Sequence, residues 1–410
     1  MWRHQVCIFR QRSRPSRFLP QLLFVAVIGS AFLLAQQLSV TRLNGTKISP
    51  SQIDIAVARL MGAAHVTGVG IAVWNDGKVV YLKTYGERNT EEHLPLTPDS
   101  VMTAASLTKP AFSTMVMQLV HEHVIELDKP VYEYLPKPLP AYPVYKDLTD
   151  DPRYKQITMR MLLDHTSGFP NWRKFTDDKK LRIYFSPGSR FAYSGEGIAL
   201  AQMVVEAVTK KSVTALMKEH IFEPLGMART SMIWEERFED DYANGYDEQG
   251  NSLGPERRRE GDAAGSMQTT LHDYARFVQA VLSGAIPDEQ ERKLMLSPQI
   301  EITTKHEFPS LSTETTTENR AIRLSYGLGW GLYWTQYGEA FFKEGHDDAG
   351  GWRHYVVCFD RPKAGMLIMT NSANGEDIYS GLLEQVLRDT FTPLEWEGFK
   401  AAASVSPSHQ

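Results

Sequence analysis

Ser106-Leu107-Thr108-Lys109 is the only Ser-x-x-Lys in the chain. On a helix, positions i and i+3 share a face, so the Lys109 ammonium can reach the Ser106 hydroxyl. A serine hydroxyl is a poor nucleophile until something takes its proton. A desolvated lysine beside another cation can have its pKa lowered enough to do so. At a helix start the serine would also sit near free backbone N–H groups and the positive end of the dipole. Such a pair suits attack on a carbonyl. By itself the tetrapeptide also describes a serine cap followed one turn later by an exposed lysine, and such a match is expected about once by chance in a chain of this size.

Other candidate motifs lack the spacing their chemistry needs. His121-Glu122-His123 sets its histidines two apart, where they diverge on a helix, so it does not match the His-Glu-x-x-His of zinc proteases. Gly327-x-Gly329-x-Gly331 lies in strand-like aromatic sequence without a phosphate-binding context. His346-Asp347-Asp348 would point alternately to opposite faces of a strand and has no third histidine in view. Neither a metal nor a cofactor is expected.

The elements that must position Ser106 are readable from periodicity. GVGIAVWNDGKVVYLKTYG, from Gly68, is two β-rich runs joined at Asn75-Asp76-Gly77, a hairpin signal. Phe112, Met115, Val116 and Leu119 recur at helical spacing and predict one buried face over 105–119. Further helical runs cover 157–164, 196–209, 212–220 and 271–283, broken by turn clusters at Ser167-Gly168, Ser186-Pro187-Gly188 and Pro224-Leu225-Gly226. The Thr- and Glu-rich stretch 301–320 shows no periodicity and reads as a surface insertion. Strand character returns at 326–335, 353–359 and 365–371, and a last helix is expected over 377–391. Strands, a helical block, then strands and a helix imply an α+β fold, an antiparallel sheet flanked by helices with an inserted, mostly α-helical domain.

The chain of 410 residues is 42% hydrophobic and 23% charged, enough for a sizeable core and incompatible with disorder. Two cysteines exclude a disulfide scaffold. Residues 1–53 carry +7 and no acid, leaving −12 on the remainder of a chain whose net charge is −5. A body that acidic lacks the basic footprint nucleic acid requires. The basic start is followed by a fourteen-residue run, Leu22–Ala35, apolar but for Ser30, shorter than a membrane span and of the length of an export h-region. The expectation is an exported protein, periplasmic, secreted, or anchored at the membrane if the segment is retained. Residues 1–38 are assigned to this segment, 39–54 to a linker, 55–396 to the hydrolase domain and 397–410 to a disordered tail. Within the domain, sheet halves at 55–104 and 321–396 bracket a helical insertion at 105–320.

The stretch LTPDSVMTAASLTKPAFSTMVMQLV resembles the nucleophile region of the serine β-lactamase and penicillin-binding-protein superfamily, closest to its class C β-lactamase, D-aminopeptidase and carboxylesterase branch. GVGIAVWNDGKVVYLKTYG, ITMRMLLDHTSGFP, SPGSRFAYSGEGIAL, FEPLGMARTSM and YGLGWGLYW followed by GHDDAGGW match in the right order, so the resemblance spans roughly residues 55–392. It implies a serine hydrolase acting through an acyl-enzyme on a small-molecule or peptide substrate. Ser106 would be the nucleophile, with Lys109 and Tyr193 handling protons. The family's Tyr-x-Asn reads Tyr193-Ser194-Gly195, and Gly195 removes an amide that bonds the lysine and the substrate's acylamide; Ser194 and Glu196 are the neighbours that would have to compensate.

The same resemblance places the third motif at Gly345-His346-Asp347-Asp348-Ala349. His346 would then stand beside the substrate, and the N–H groups of Ser106 and Ala349 would form the oxyanion hole. Asp348 occupies a position the family gives to glycine. Aspartates there would repel a substrate carboxylate or neutralise His346, which disfavours β-lactams and favours neutral or amine-bearing substrates. His165 belongs to a family hallmark, HTSG, that shapes the helical region. The competing readings are a true class C-type β-lactamase or DD-carboxypeptidase, and a penicillin-recognising sensor that has kept the fold and lost turnover.

Overall fold

A computed structural model describes residues 39–400. The apolar run at 22–35 and the tail beyond residue 400 lie outside the described residues. Among the described residues, no helix is long and apolar enough to cross a membrane.

The chain enters through β1 (Val40–Thr41) and β2 (Lys47–Ile48), then α1 (Pro50–Ala64). A reciprocal capping box between Ser49 and Gln52, with Pro50 in the first turn, starts α1. Val40, Ile48, Ile53 and Val57 are buried. The stretch expected as a linker, 39–54, is therefore part of the folded body. Its apolar residues are too widely spaced to read as an element but pack against the sheet.

β3 (Gly68–Asn75) and β4 (Lys78–Asn89) form the expected hairpin, closed by Asp76 and Gly77 at φ 50° and 72°. Both residues at positive φ is the turn that matches strand twist. β5 (Leu94–Pro95) follows as an edge strand, and β6 (Met102–Thr103) leads into α2 (Thr108–His121). The helical region continues with α3 (Met159–Leu163), α4 (Gly195–Thr209) and α5 (Val213–Met217). It is not purely helical. β7 (Gly245–Tyr246) pairs with β8 (Ser252–Gly254), and β9 (Gln268–Thr269) returns to pair with β6. α6 (Leu271–Ser283) and α7 (Glu289–Met295) complete it.

The sheet resumes earlier than expected, at β10 (Ile300–Glu301), and runs through β11 (Ser325–Tyr326), β12 (Gly331–Thr335), β13 (Gly338–Asp347), β14 (Trp352–Phe359) and β15 (Ala364–Thr370). Nine antiparallel strands lie in the order β10-β11-β12-β13-β14-β15-β3-β4-β5. β15 pairs with β3, Leu367 opposite Ala72, which joins the late half of the sheet to the early half. Short helical turns from Ala373 to Leu387, including α8 (Tyr379–Leu382), end at Arg388 in the left-handed conformation, and α9 (Leu394–Glu397) follows. Glu397 and Phe399 are buried, so the chain stays ordered past the point assigned to a tail.

Alternation along the central strands feeds two cores. Ala72 and Trp74 face the helical region while Val69, Ile71 and Val73 face α1 and α8. α2 differs from its expected single apolar face: eleven of its fourteen residues are buried. Its small polar positions are tolerated there because a residue such as Thr114 bonds a carbonyl one turn back, Pro110 O at 2.8 Å. The start of α2 is thus held from all sides.

Candidate active site

Ser106 lies in the 3-10 turn Ala105–Leu107 that opens α2. Ala105 holds a positive φ of 47°, a conformation costing about 1 kcal/mol or more for a residue with a Cβ. The cost is borne where the nucleophile is presented. Lys109, one turn on, is 2% exposed. Its Nζ lies 2.8 Å from Ser106 Oγ and donates to Ala264 O at 2.6 Å. Burial, and then the nearby charge of Lys343, lower the Lys109 pKa to about 7. A substantial neutral fraction therefore exists at neutral pH, and neutral Lys109 can accept the Ser106 proton.

Tyr193 reaches the same point from the segment before α4, its hydroxyl donating to Ser106 Oγ at 3.0 Å. Its ring sits between two ammonium groups, 5.0 Å from Lys109 Nζ and 4.6 Å from Lys343 Nζ. Burial, with Glu344 and Glu307 nearby, raises the phenol well above its ordinary value. It stays protonated and can donate, which leaves the base role to Lys109. His165 packs on Tyr193 with ring centroids 4.5 Å apart and accepts the Ser194 N–H on Nδ1. It is 1% exposed and out of a substrate's reach.

The third motif lies three residues before its expected place. The lysine of Lys343-Glu344-Gly345 stands beside Tyr193. A Cβ on Gly345 would come 2.8 Å from Ala104 O and 3.0 Å from Leu107 Cγ, so only glycine lets β13 pass so close to the nucleophile turn. The His346 imidazole instead turns aside, bonded to Asp348 at 2.8 Å with Glu376 at 3.7 Å. Asp348 is in turn held by Arg353 at 2.7 Å, and its side chain is 83% exposed. It is a carboxylate paired with Arg353 that, like His346, lines the cavity holding Ser106. The Ala349 N–H donates to Asp347 Oδ1 at 3.1 Å within the β13–β14 turn and is not available to an oxyanion.

The main chain of His346 takes that place. The Asp360 N–H donates to Glu339 O at 2.9 Å across the β13–β14 pair. In a pleated strand, alternate residues turn their N–H to opposite edges, so Glu344 and His346 present theirs on the other side. Beyond Phe342 no strand among the described residues pairs with that side. The His346 N–H thus lies on an open edge beside the nucleophile turn.

The glycine at 195 is packed beneath Trp172, whose ring a Cβ would overlap. Ser194 caps α4 and bonds Pro170 O, and Glu196 is tied to Arg173 at 2.6 Å, so neither replaces the missing amide. Asn171 is closer to doing so: its Oδ1 accepts the Gly195 N–H at 3.1 Å, and the residue lines the cavity. The cavity, about 1140 Å³, is lined by Ser106, Lys109 and Tyr193 and also by Glu307, Phe308 and Glu344. The 301–320 stretch, expected as a surface insertion, therefore delivers part of the wall; Ile302 and Glu307 are buried. Asn171, Glu307 and Glu344 carry no family spacing that singles them out in the sequence, whereas Lys343 with Gly345 does have a Lys-x-Gly spacing that could have found it. Among the described residues, side chains that could gather a metal ion occur at His121/Asp288/Glu291 and at Glu307/Glu344/Glu397.

The beta-lactamase family profile matches residues 53–387. Among curated proteins, the chain is 25% identical over 222 residues to Protein flp of Staphylococcus aureus, covering 50% of this chain and 43% of that one. It is 26% identical over 239 residues to Esterase EstB of Burkholderia gladioli, covering 52% and 57%. The chain thus spans about half the length of each. Among solved structures, the octameric penicillin-binding protein homologue of Pyrococcus abyssi superposes with a TM-score of 0.65 at 23% identity, over 83% of this chain and 79% of that one. That likeness speaks for the fold.

Proposed function

The chain belongs to the beta-lactamase family, and on that premise we propose that it is a serine hydrolase forming an acyl-enzyme at Ser106, acting on esters or on amide and D-peptide bonds rather than on β-lactams. One observation carries the reading: a buried lysine with its pKa near 7 lies 2.8 Å from a serine hydroxyl that also receives a tyrosine O–H at 3.0 Å.

The steps follow from these positions. Neutral Lys109 takes the Ser106 proton as Oγ attacks the carbonyl carbon. The developing oxyanion meets the N–H groups of Ser106 and His346. As the tetrahedral intermediate collapses, the bond to the leaving group breaks and that group receives a proton from Tyr193, which is replenished from Lys109. Water then attacks the Ser106 ester with Lys109 again as base; the bond from Oγ to the acyl carbon breaks, Oγ takes the proton back from Lys109, and the acid leaves.

Specificity follows from the acid-lined wall. Glu344 succeeds Lys343 on the strand beside Ser106, and Lys343 is already ion-paired to it. A penicillin carboxylate would find that cation spent and further carboxyls around it. The likeness to an esterase supports the same preference. We extend the proposal to export of the chain, on the strength of the basic and apolar start of the sequence.

Side-by-side assays of wild type and Ser106→Ala on p-nitrophenyl butyrate and a chromogenic cephalosporin test the reading. Ester turnover that the substitution abolishes, with the cephalosporin much slower, is the expected result. Cephalosporin turnover exceeding ester turnover would make it a β-lactamase. A stable cephalosporin adduct without turnover would make it a sensor.

A further inference from the structure

We propose that Glu307, Glu344 and Glu397 form a cation subsite in the wall of the catalytic cavity, receiving a primary ammonium group on the substrate; the assignment of that ligand to a substrate rests on the serine-hydrolase reading above. Three segments distant in sequence deliver these side chains: the stretch after β10, the end of β13 and the end of α9. Their carboxyl oxygens lie within 4.8 Å of one another. The residues are 3%, 6% and 6% exposed, yet all line the cavity that holds Ser106.

Two of their oxygens have no partner. Glu397 Oε2 accepts the Tyr355 hydroxyl at 2.5 Å, but Glu397 Oε1 and Glu307 Oε2 are buried with no hydrogen bond among the described residues. A buried acceptor left without a donor is destabilising, so two such atoms in one cavity wall call for a donor that satisfies both. Burial, then the charge of Glu344, hold Glu307 and Glu397 well above the usual carboxyl range, so without a ligand both keep their protons. Glu344 is matched by Lys343. A single incoming positive charge can displace one proton and leave the cluster balanced.

An organic ammonium fits better than a divalent metal. A divalent ion among these oxygens would meet twice the repulsion from the Lys343 ammonium, paired to Glu344, that a singly charged ammonium meets. An ammonium offers three donors, enough for Glu307 Oε2, Glu397 Oε1 and one oxygen of Glu344. The neighbouring walls are Phe308, Tyr193 and Phe399, apolar surfaces for the carbon chain that bears the amine.

Isothermal titration calorimetry of full-length wild type with n-butylammonium and with 1-butanol, an uncharged mimic, tests this at neutral pH. The ammonium should bind about tenfold tighter or more than the alcohol, the size of one hydrogen bond to a charged group. Glu307→Gln and Glu397→Gln should each erase that preference. Equal binding of the two probes, or a preference that survives both substitutions, overturns the proposal. So does Mn2+ or Ca2+ that binds in place of butylammonium and is lost in the same variants, since the cluster would then be a metal site. If the variants do not fold, the wild-type ratio decides alone. An enzyme inactive on every ester that still prefers butylammonium would sink the hydrolase reading and leave the subsite standing.

Discussion

Lys109 shows how much of the chemistry resides in one environment. The same side chain in water is a cation with an ordinary pKa of 10.5; buried here beside Lys343, it titrates at about 7. As the base it must be neutral, so kcat/KM for a neutral ester should rise with pH through about 7 and level off above it. Lys343→Met removes one of the two lowering influences and should move that rise to higher pH, read from full pH–rate profiles. An unmoved inflection would detach Lys343 from the base. Tyr193→Phe removes the donor at 3.0 Å and should slow acylation by about a hundredfold, most for poor leaving groups. Ser106 and Lys109 were legible because their chemistry lies in a local i, i+3 spacing. Lys343, despite its Lys-x-Gly spacing, was masked because the glycine and histidine after it imitate a motif three residues on. Only the approach of β13 to Ala104 shows which register faces the nucleophile.

At the scale of elements, the site depends on one strand passing a helix start at backbone distance. Gly345→Ala should push β13 from Ala104 O, displacing the His346 N–H from the oxyanion position. The expected loss in kcat is about 10²–10³-fold, with a stability cost of about 1–3 kcal/mol. Stopped assays and thermal melts on the same preparation separate the two, and wild-type kcat in a folded variant would remove His346 from the oxyanion hole. The β3–β4 hairpin and α4 and α6 were readable because turn chemistry and a 3.6-residue period are local signals. The 301–320 stretch was not. Its Thr and Glu residues have the composition of a surface loop, and Glu307 is buried only because the loop folds back so that the Glu307 N–H meets Trp396 O at 2.9 Å.

In the whole molecule, the α+β class followed from the order of strands and helices, but its edges did not. Val40, Ile48 and Ile53 are too sparse to announce an element, yet each is fully or almost fully buried. At about 1.5–3 kcal/mol per buried aliphatic side chain, losing all three rivals the total stability of a typical domain. A chain beginning at residue 39 should melt cooperatively, and one beginning at residue 55 should fail to fold or melt far lower by circular dichroism. Equal melting of the two would mean that β1, β2 and the first turn of α1 are dispensable.

The account as a whole turns on a covalent intermediate at one serine in that folded body. Wild type mixed with p-nitrophenyl butyrate, quenched in acid during turnover and examined by intact mass and peptide mapping, tests it most directly. A butyryl group on the peptide carrying Ser106, absent from Ser106→Ala, is the predicted result. Steady turnover with a label on another residue, or undiminished turnover in Ser106→Ala, would contradict it.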